Sequence, residues 1–363
     1  MSRTATKLLP ALLFLATATP ALAEPAGEVE DLRQRLEKLE ARHEAPEGFT
    51  IASGKKILTV SGAVEIEASY TDFAGKNAES DTKVATAQIN FDAAASDRVK
   101  GRIALLHEDG GEPAIDIDEA YIEVNHPELA GGTLKVTAGK AYLPFGAFAS
   151  SMVSDPLTLE LGETNRNLIL TGWENGKMAV QFGFYNGDHD TTSHNVIDNG
   201  VAALKFTPTE QISFGASYIC DLAETNAKLL ATAATAYEDN VNAASAYLTL
   251  KFAPVTINIE YLGALKEFSE EMLADPDRAP ELTGRKPRAW FAEATFAPNQ
   301  DWAVSGRYEK AKDYQDDVAR YGATVSYGLD ANTVLSLEYL YSDFAREAED
   351  SASQVTVQLA LEF

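Results

Sequence analysis

Apolar and polar residues alternate along most of this chain with a period of two. Between 60 and 71, Val60, Val64, Ile66, Ala68 and Tyr70 share one face, while Ser61, Glu65, Glu67 and Ser69 share the other. A two-residue period is that of a strand with one greasy face and one wet face. The pattern recurs at 85–93, 99–105, 119–124, 134–140, 168–173, 178–185 and 202–206, and again at 212–220, 244–252, 255–261, 290–296, 302–308, 320–327, 333–341 and 355–363. It predicts sixteen strands.

The connections support one architecture. Short turns at 95–98, 174–176, 207–210, 253–254, 298–301 and 328–332 take turns with long polar segments at 72–83, 142–164, 187–195, 221–241, 263–287 and 342–353. Outer-membrane barrels have short periplasmic turns and long external loops. The last strand ends on Phe363, as does the C-terminal assembly signal of bacterial outer-membrane barrels, which this strand resembles. Such a strand closes the sheet onto the first one and removes both open edges. The expected fold is therefore all-β: a transmembrane antiparallel β-barrel of about sixteen strands over 50–363, with both termini in the periplasm.

Aromatic residues near strand ends fit the interfacial girdles of such a barrel, among them Phe184, Phe206, Phe214, Tyr218, Phe252, Tyr261, Trp290, Phe296, Trp302, Tyr308, Tyr327 and Tyr341. Their opposite-facing neighbours Ser217, Lys251, Asn258, Glu260, Glu293, Arg307, Arg320 and Glu338 predict a wet lumen. A soluble β-sandwich would share the alternation but would not explain the long and short connections.

Ahead of the strands the pattern changes. Arg3 and Lys7 precede an apolar run from Leu8 to Leu15, followed by Ala21-Leu22-Ala23, which predicts a signal peptide at 1–23 and export from the cytoplasm. Within 24–49, Val29, Leu32, Leu36 and Leu39 are spaced as a heptad seam, with His43 at the next seam position. They predict a short periplasmic coiled-coil helix, able to support a homotrimer but too short to be stable alone. Pro46 and Gly48 end it.

Composition narrows the partners. The 363 residues carry 55 Asp and Glu against 30 Lys and Arg, a formal charge of −25, which repels nucleic acid and favours cationic or neutral partners. Beyond the N-terminus no apolar run approaches the roughly 20 residues of a membrane-spanning helix. The single cysteine, Cys220, excludes an intrachain disulfide and is expected to be a small buried group.

Three stretches point to a family: Asp118-Glu119-Ala120-Tyr121-Ile122, Gly139-Lys140-Ala141-Tyr142-Leu143-Pro144-Phe145-Gly146 and Ser154-Asp155-Pro156-Leu157-Thr158-Leu159-Glu160-Leu161-Gly162-Glu163-Thr164. With the heptads and the strand around Glu65 and Glu67, they resemble the LbtU-type siderophore porins, the family of the legiobactin receptor. The resemblance implies a sixteen-stranded barrel without a plug domain and passive passage of small solutes, an iron–siderophore complex among them. A general cation-preferring pore, or a barrel acting as a surface receptor, remains open beside it. No cofactor is implied.

Residues 142–164 form the third long connection. Pro144 and Pro156 stiffen it, and Leu157, Leu159 and Leu161 can anchor it against an inner wall. Its acids Asp155, Glu160 and Glu163 are expected to face basic wall residues Lys100, Arg102 and Lys140, a charge pair across a constriction. Glu65, Glu67, Asp116, Glu119 and Tyr121 are further lumen candidates. Asp188-His189-Asp190 with His194 offers metal-type ligands without a recurring spacing. An enzymatic barrel would need a nucleophile beside a positioned base, and only His107 next to Glu108 comes near that requirement.

Overall fold

A computed structural model of the chain describes residues 48–54, 56–110, 114–187, 197–229, 240–269, 282–345 and 351–363. The expected signal peptide and heptads, and Asp188, His189, Asp190 and His194, lie outside them. The strands are β1 (Phe49–Ser53), β2 (Lys56–Phe73), β3 (Glu79–Ala94), β4 (Val99–Glu108), β5 (Asp116–Leu129), β6 (Gly132–Tyr142), β7 (Asn165–Glu174), β8 (Met178–Tyr185) and β9 (Asn199–Thr209), followed by β10 (Ile212–Ile219), β11 (Ala243–Phe252), β12 (Val255–Ala264), β13 (Arg288–Phe296), β14 (Trp302–Lys312), β15 (Ala319–Gly328), β16 (Thr333–Asp343) and β17 (Ser351–Glu362). A six-residue helix, α1 (Leu157–Gly162), lies between β6 and β7.

Strands β2 to β17 form one closed antiparallel ring. Each pairs with its sequence neighbours, and β17 pairs with β2 from Ala352↔Phe73 to Glu362↔Ala63. Closure leaves no unpaired edge for lipid to face. The seam is sealed by the last residue: Gly62 N–H donates to the Phe363 carbonyl at 2.8 Å, and Phe363 N–H donates back to Gly62 at 2.9 Å. A side chain at position 62 would meet both the Gln88 carbonyl and the Phe363 ring at 2.6 Å, so the glycine lets the terminal ring lie on β2.

Sixteen ring strands match the alternation, with two differences. Strand β1 arises from residues ahead of the first expected strand. It pairs with Lys56–Val60 and so covers the stretch of β2 that reaches past the end of β17. The expected long segment 72–83 is mostly strand, because β2 and β3 pair out to Thr71↔Glu79. Polar residues there are compatible with strand, because a strand rising past the bilayer is solvated on both faces and needs no apolar side.

Between two aromatic belts the outward positions are mostly apolar. Toward the short turns stand Phe206 against Phe214 and Trp302 against Tyr327; toward the long connections stand Trp290 against Tyr308 and Tyr321 against Tyr341, with centroids 4.6–5.5 Å apart in all four pairs. Tyr308 lies six residues along β14 from Trp302, ~20 Å at a strand's rise per residue. That spacing suits a membrane's apolar band.

Gly62→Val is expected to weaken the seam by about 1–3 kcal/mol through overpacking. The readout is a lower temperature for conversion of the folded band to the unfolded band on detergent gels, with Gly62→Ala intermediate. Unchanged conversion temperatures would mean that the close approach of Phe363 does not hold the ring shut.

Candidate functional site in the barrel interior

Alternation on β10 to β16 sends an unusual set of side chains inward. Ser217, Ser245, Glu260, Glu293, Arg307, Glu309, Thr324 and Glu338 are all buried, and the four glutamates are no more than 3% exposed. Register sets Glu293 beside Arg307, Glu309 beside Arg320 and Thr324 beside Glu338. Carboxylates buried to this degree require donors.

The donors come from the far side of the ring. Residues 143–164 leave β6, run across to the inner faces of β10 to β16, and return to β7. Gly146 N–H donates to Ser217 Oγ at 2.9 Å. Ala147 and Phe148 N–H donate to the two oxygens of Glu260 at 2.8 and 2.7 Å. Ser150 Oγ and Ser151 N–H do the same to Glu293, both at 2.7 Å. Val153 N–H reaches Glu338 at 2.7 Å, and Leu157 N–H, in the first turn of α1, reaches Glu309 at 2.7 Å.

Before α1 this backbone is irregular, so its N–H groups have no ladder partners, and a buried orphan N–H costs about 1–3 kcal/mol. One carboxylate can satisfy two of them, through charge-assisted bonds stronger than neutral ones.

Arg307 completes the seat from β14. Its guanidinium donates to Ser150 Oγ, the Ser154 carbonyl, Ser154 Oγ and the Asp155 carbonyl at 2.8–3.1 Å. Its charge is balanced by Glu309 at 3.3 Å and Glu293 at 3.6 Å. Arg320 holds Glu160 at 2.6 Å, and Gln315 also bonds the Glu160 carboxylate.

An apolar patch finishes the attachment. Leu143, Phe145, Leu157 and Leu161 pack with Leu168, Ile219, Leu222 and Leu262 in one buried apolar cluster. Of the three leucines expected to anchor the segment, Leu157 and Leu161 do so; Leu159 lines open space instead.

That open space is a cavity of about 630 Å³ beside the segment, on the side of β2, β3 and β17. Seven carboxylates line it: Glu65, Glu67, Glu108, Asp109, Asp155, Glu163 and Glu338. Lys83 is the one cation among the lining residues, and Gln354, Thr356 and Gln358 add neutral polar groups. Loss of hydration pushes the Asp155 carboxyl up to about 6; Glu160 adds to the shift and Arg307 opposes it. Desolvation raises Glu163 as well, against a hydrogen bond from Asn226.

Of the residues singled out by sequence, the structure thus gathers Glu65, Glu67, Asp155 and Glu163 around one space. The expected basic wall is not there. Arg102 is bound by Glu119 at 2.8 Å and Asp92 at 3.3 Å, on a separate patch of wall with Tyr121, and Lys100 stands in register with Glu123. Lys140 pairs with Asp116 at 3.0 Å. It falls on the outward face of β6, in step with Ala138, whose register partners Ile122 and Ile169 are both 59% exposed.

Lys140 therefore lies on the face opposite the expected wall, and nearer carboxylates claim Arg102. Glu160 alone meets a wall cation, Arg320 rather than any of the three expected. His107 Nδ1 lies 2.6 Å from the Ala114 carbonyl, and Cys220 is half-buried rather than buried.

What sequence reasoning missed is the seat. Alternation places Glu260, Glu293, Arg307 and Glu338 inward as wet lining, whereas the structure buries them under the segment. The available signal was their concentration on consecutive strands of one wall.

Comparison with known proteins places the chain. A family profile described as Gram-negative porin matches residues 11–347. A "UPF0422 protein" of Coxiella burnetii is 25% identical over 333 residues, covering 82% of this chain and 67% of the relative. A protein of the same description from Legionella pneumophila strain Paris is 26% identical over 146 residues, 38% of this chain and 27% of its own length.

Among solved structures, the chain is similar to the outer membrane channel DcaP of Acinetobacter baumannii, with a TM-score of 0.63 and 12% identity over 87% of this chain and 99% of that one. OmpF of Salmonella typhi gives 0.62 and 10% over 87% and 100%. The anion-selective porin from Comamonas acidovorans gives 0.62 and 12% over 85% and 100%. These likenesses are of fold.

Glu260→Ala removes the acceptor of two segment N–H groups and is expected to loosen 143–164 by roughly 3 kcal/mol, given about 1.5–3 kcal/mol per bond to a charged group. Hydrogen exchange at Ala147 and Phe148 should accelerate while exchange in β2 and β17 stays unchanged. Wild-type protection at both amides would show that the carboxylate does not hold the segment.

Proposed function

Because the chain belongs to the Gram-negative porin family, we propose that it is an outer-membrane diffusion pore narrowed by residues 143–164, passing cationic and neutral solutes more readily than anions. The observation that carries this reading is the segment's attachment to inward carboxylates across the ring, which leaves a passage beside it lined by seven acids and one lysine. Field and radius together set the selectivity of such a passage. In this it is the electrostatic opposite of the Comamonas protein, whose description is anion-selective. The long connections face outward and both termini lie in the periplasm, the orientation of barrels with short periplasmic turns.

Ferric siderophores as cargo rest on the resemblance of the three stretches to the legiobactin-receptor family. A lumen of this sign admits a neutral or cationic iron complex and opposes an anionic one. The heptads at 28–45 serve as a trimerising segment in the same reading. A Vibrio cholerae OmpT structure, which this fold resembles with a TM-score of 0.57, is described as a trimer form.

In planar bilayers under a KCl gradient, purified protein should give open steps and a reversal potential of cationic sign, and one siderophore class should block the steps if it is cargo. Asp155 carries its charge above about 6 and loses it below. Cation preference should therefore fall between about pH 7.5 and about pH 5, and Asp155→Asn should flatten that change. An anionic reversal potential would overturn the selectivity, and a siderophore-indifferent open channel would leave a general pore.

A further inference from the structure

The outward face of β13 and β14 carries a cluster of cations, whereas the outward Lys140 of β6 is paired with Asp116. Past the aromatic pair Trp290 and Tyr308, toward the long connections, the outward positions are Arg288, Lys310 and Lys312. Register makes them one patch: Arg288 lies opposite Lys312, and Trp290 opposite Lys310. Lys310 and Lys312 are exposed. None of the three forms an ion pair or side-chain hydrogen bond among the described residues.

That is unexpected in a chain with an acid excess of 25. The inward cations Arg102, Arg307 and Arg320 are all claimed by carboxylates. The outward acid nearest in register is Asp343, two strands away from Lys310 across Ala319.

The patch also has a floor. Gly263 of β12 stands in register with Arg288, and a side chain there would come within 2.7 Å of Arg288 Cβ and 3.0 Å of Tyr261 Oη. The missing side chain gives the arginine stem and the tyrosine hydroxyl a common recess. Lys310 and Lys312 stand two and four residues beyond Tyr308, ~7 and ~13 Å along the strand. An aromatic ring marks the edge of a bilayer's apolar band, so these heights fall at the headgroups.

We propose that Arg288, Lys310 and Lys312, with Tyr261 Oη, hold the phosphate of a lipid headgroup in the outer leaflet. The inference rests on the outer-membrane orientation proposed above. Cations at headgroup depth gain from anionic lipid what they do not receive from protein carboxylates, about 1 kcal/mol per Lys or Arg near a charged leaflet. Arginine and lysine over an apolar wall also keep their stems on the protein and their charges in the headgroup layer.

The test uses the full chain folded in detergent micelles, with bisphosphorylated lipid A, its dephosphorylated form and inorganic phosphate as probes, read by native mass spectrometry. Wild-type protein should retain lipid A at least roughly tenfold better than the triple variant Arg288→Gln, Lys310→Gln, Lys312→Gln. Lys205→Gln with Lys251→Gln, at inward-facing positions of β9 and β11, should behave as wild type. Equal retention of dephosphorylated lipid, or equal loss in both variants, would overturn the proposal, as would competition by inorganic phosphate at concentrations comparable to the lipid. Folding of each variant is checked by gel mobility. Lipid retention is read without reference to conductance, so its failure leaves the pore reading standing, and a non-conducting barrel that still retains lipid A would fail only the pore.

Discussion

In lipid the edge of a sheet has no partner, and the pairing of β17 with β2 is what permits the other strands to exist there at all. The terminal residue seals that pairing from both directions, with Gly62 giving the Phe363 ring its place. Closure also creates the inside. Once β2 meets β17, alternate side chains of every strand share one enclosed space, and a polar residue that would have been merely solvated on an open sheet acquires neighbours from six strands away.

The interior is then governed by a competition for hydrogen bonds. Residues 143–164 bring backbone N–H groups that cannot pair locally, and β12 to β16 bring carboxylates that cannot stay buried without donors. Each solves the other's problem. Arg307 neutralises part of the wall's charge while bonding the segment at four points. The apolar cluster around Leu157 and Leu161 then excludes water and strengthens these bonds. With the segment gathered to one wall, the acids of β2, β4 and the segment itself are left facing open space.

Outside and inside divide the charged residues by what can balance them. Inward Arg102, Arg307 and Arg320 meet carboxylates, whereas the outward cations at the rim of β13 and β14 meet none among the described residues. The same net acidity that shapes the lumen makes that rim conspicuous.

How much of this was legible before the chain was folded follows from the range of each interaction. Period-two alternation is local, so the sequence alone determined the all-β class, sixteen ring strands, the turn positions at 95–98 and 253–254, and the inward placing of Glu65, Glu67, Glu260, Glu293 and Glu338. Where both faces are solvated the alternation fades, which hid β1 and the outer reach of β2 and β3. Lys140 stands near a strand end, where one polar residue on the apolar face breaks no pattern, so alternation does not reveal which way it faces. Partners lie beyond any local signal: Phe148 and Glu260 are 112 residues apart, Val153 and Glu338 are 185 apart. Only the closed ring decides which inward charges meet, because closure, and not sequence spacing, sets the distance across the lumen.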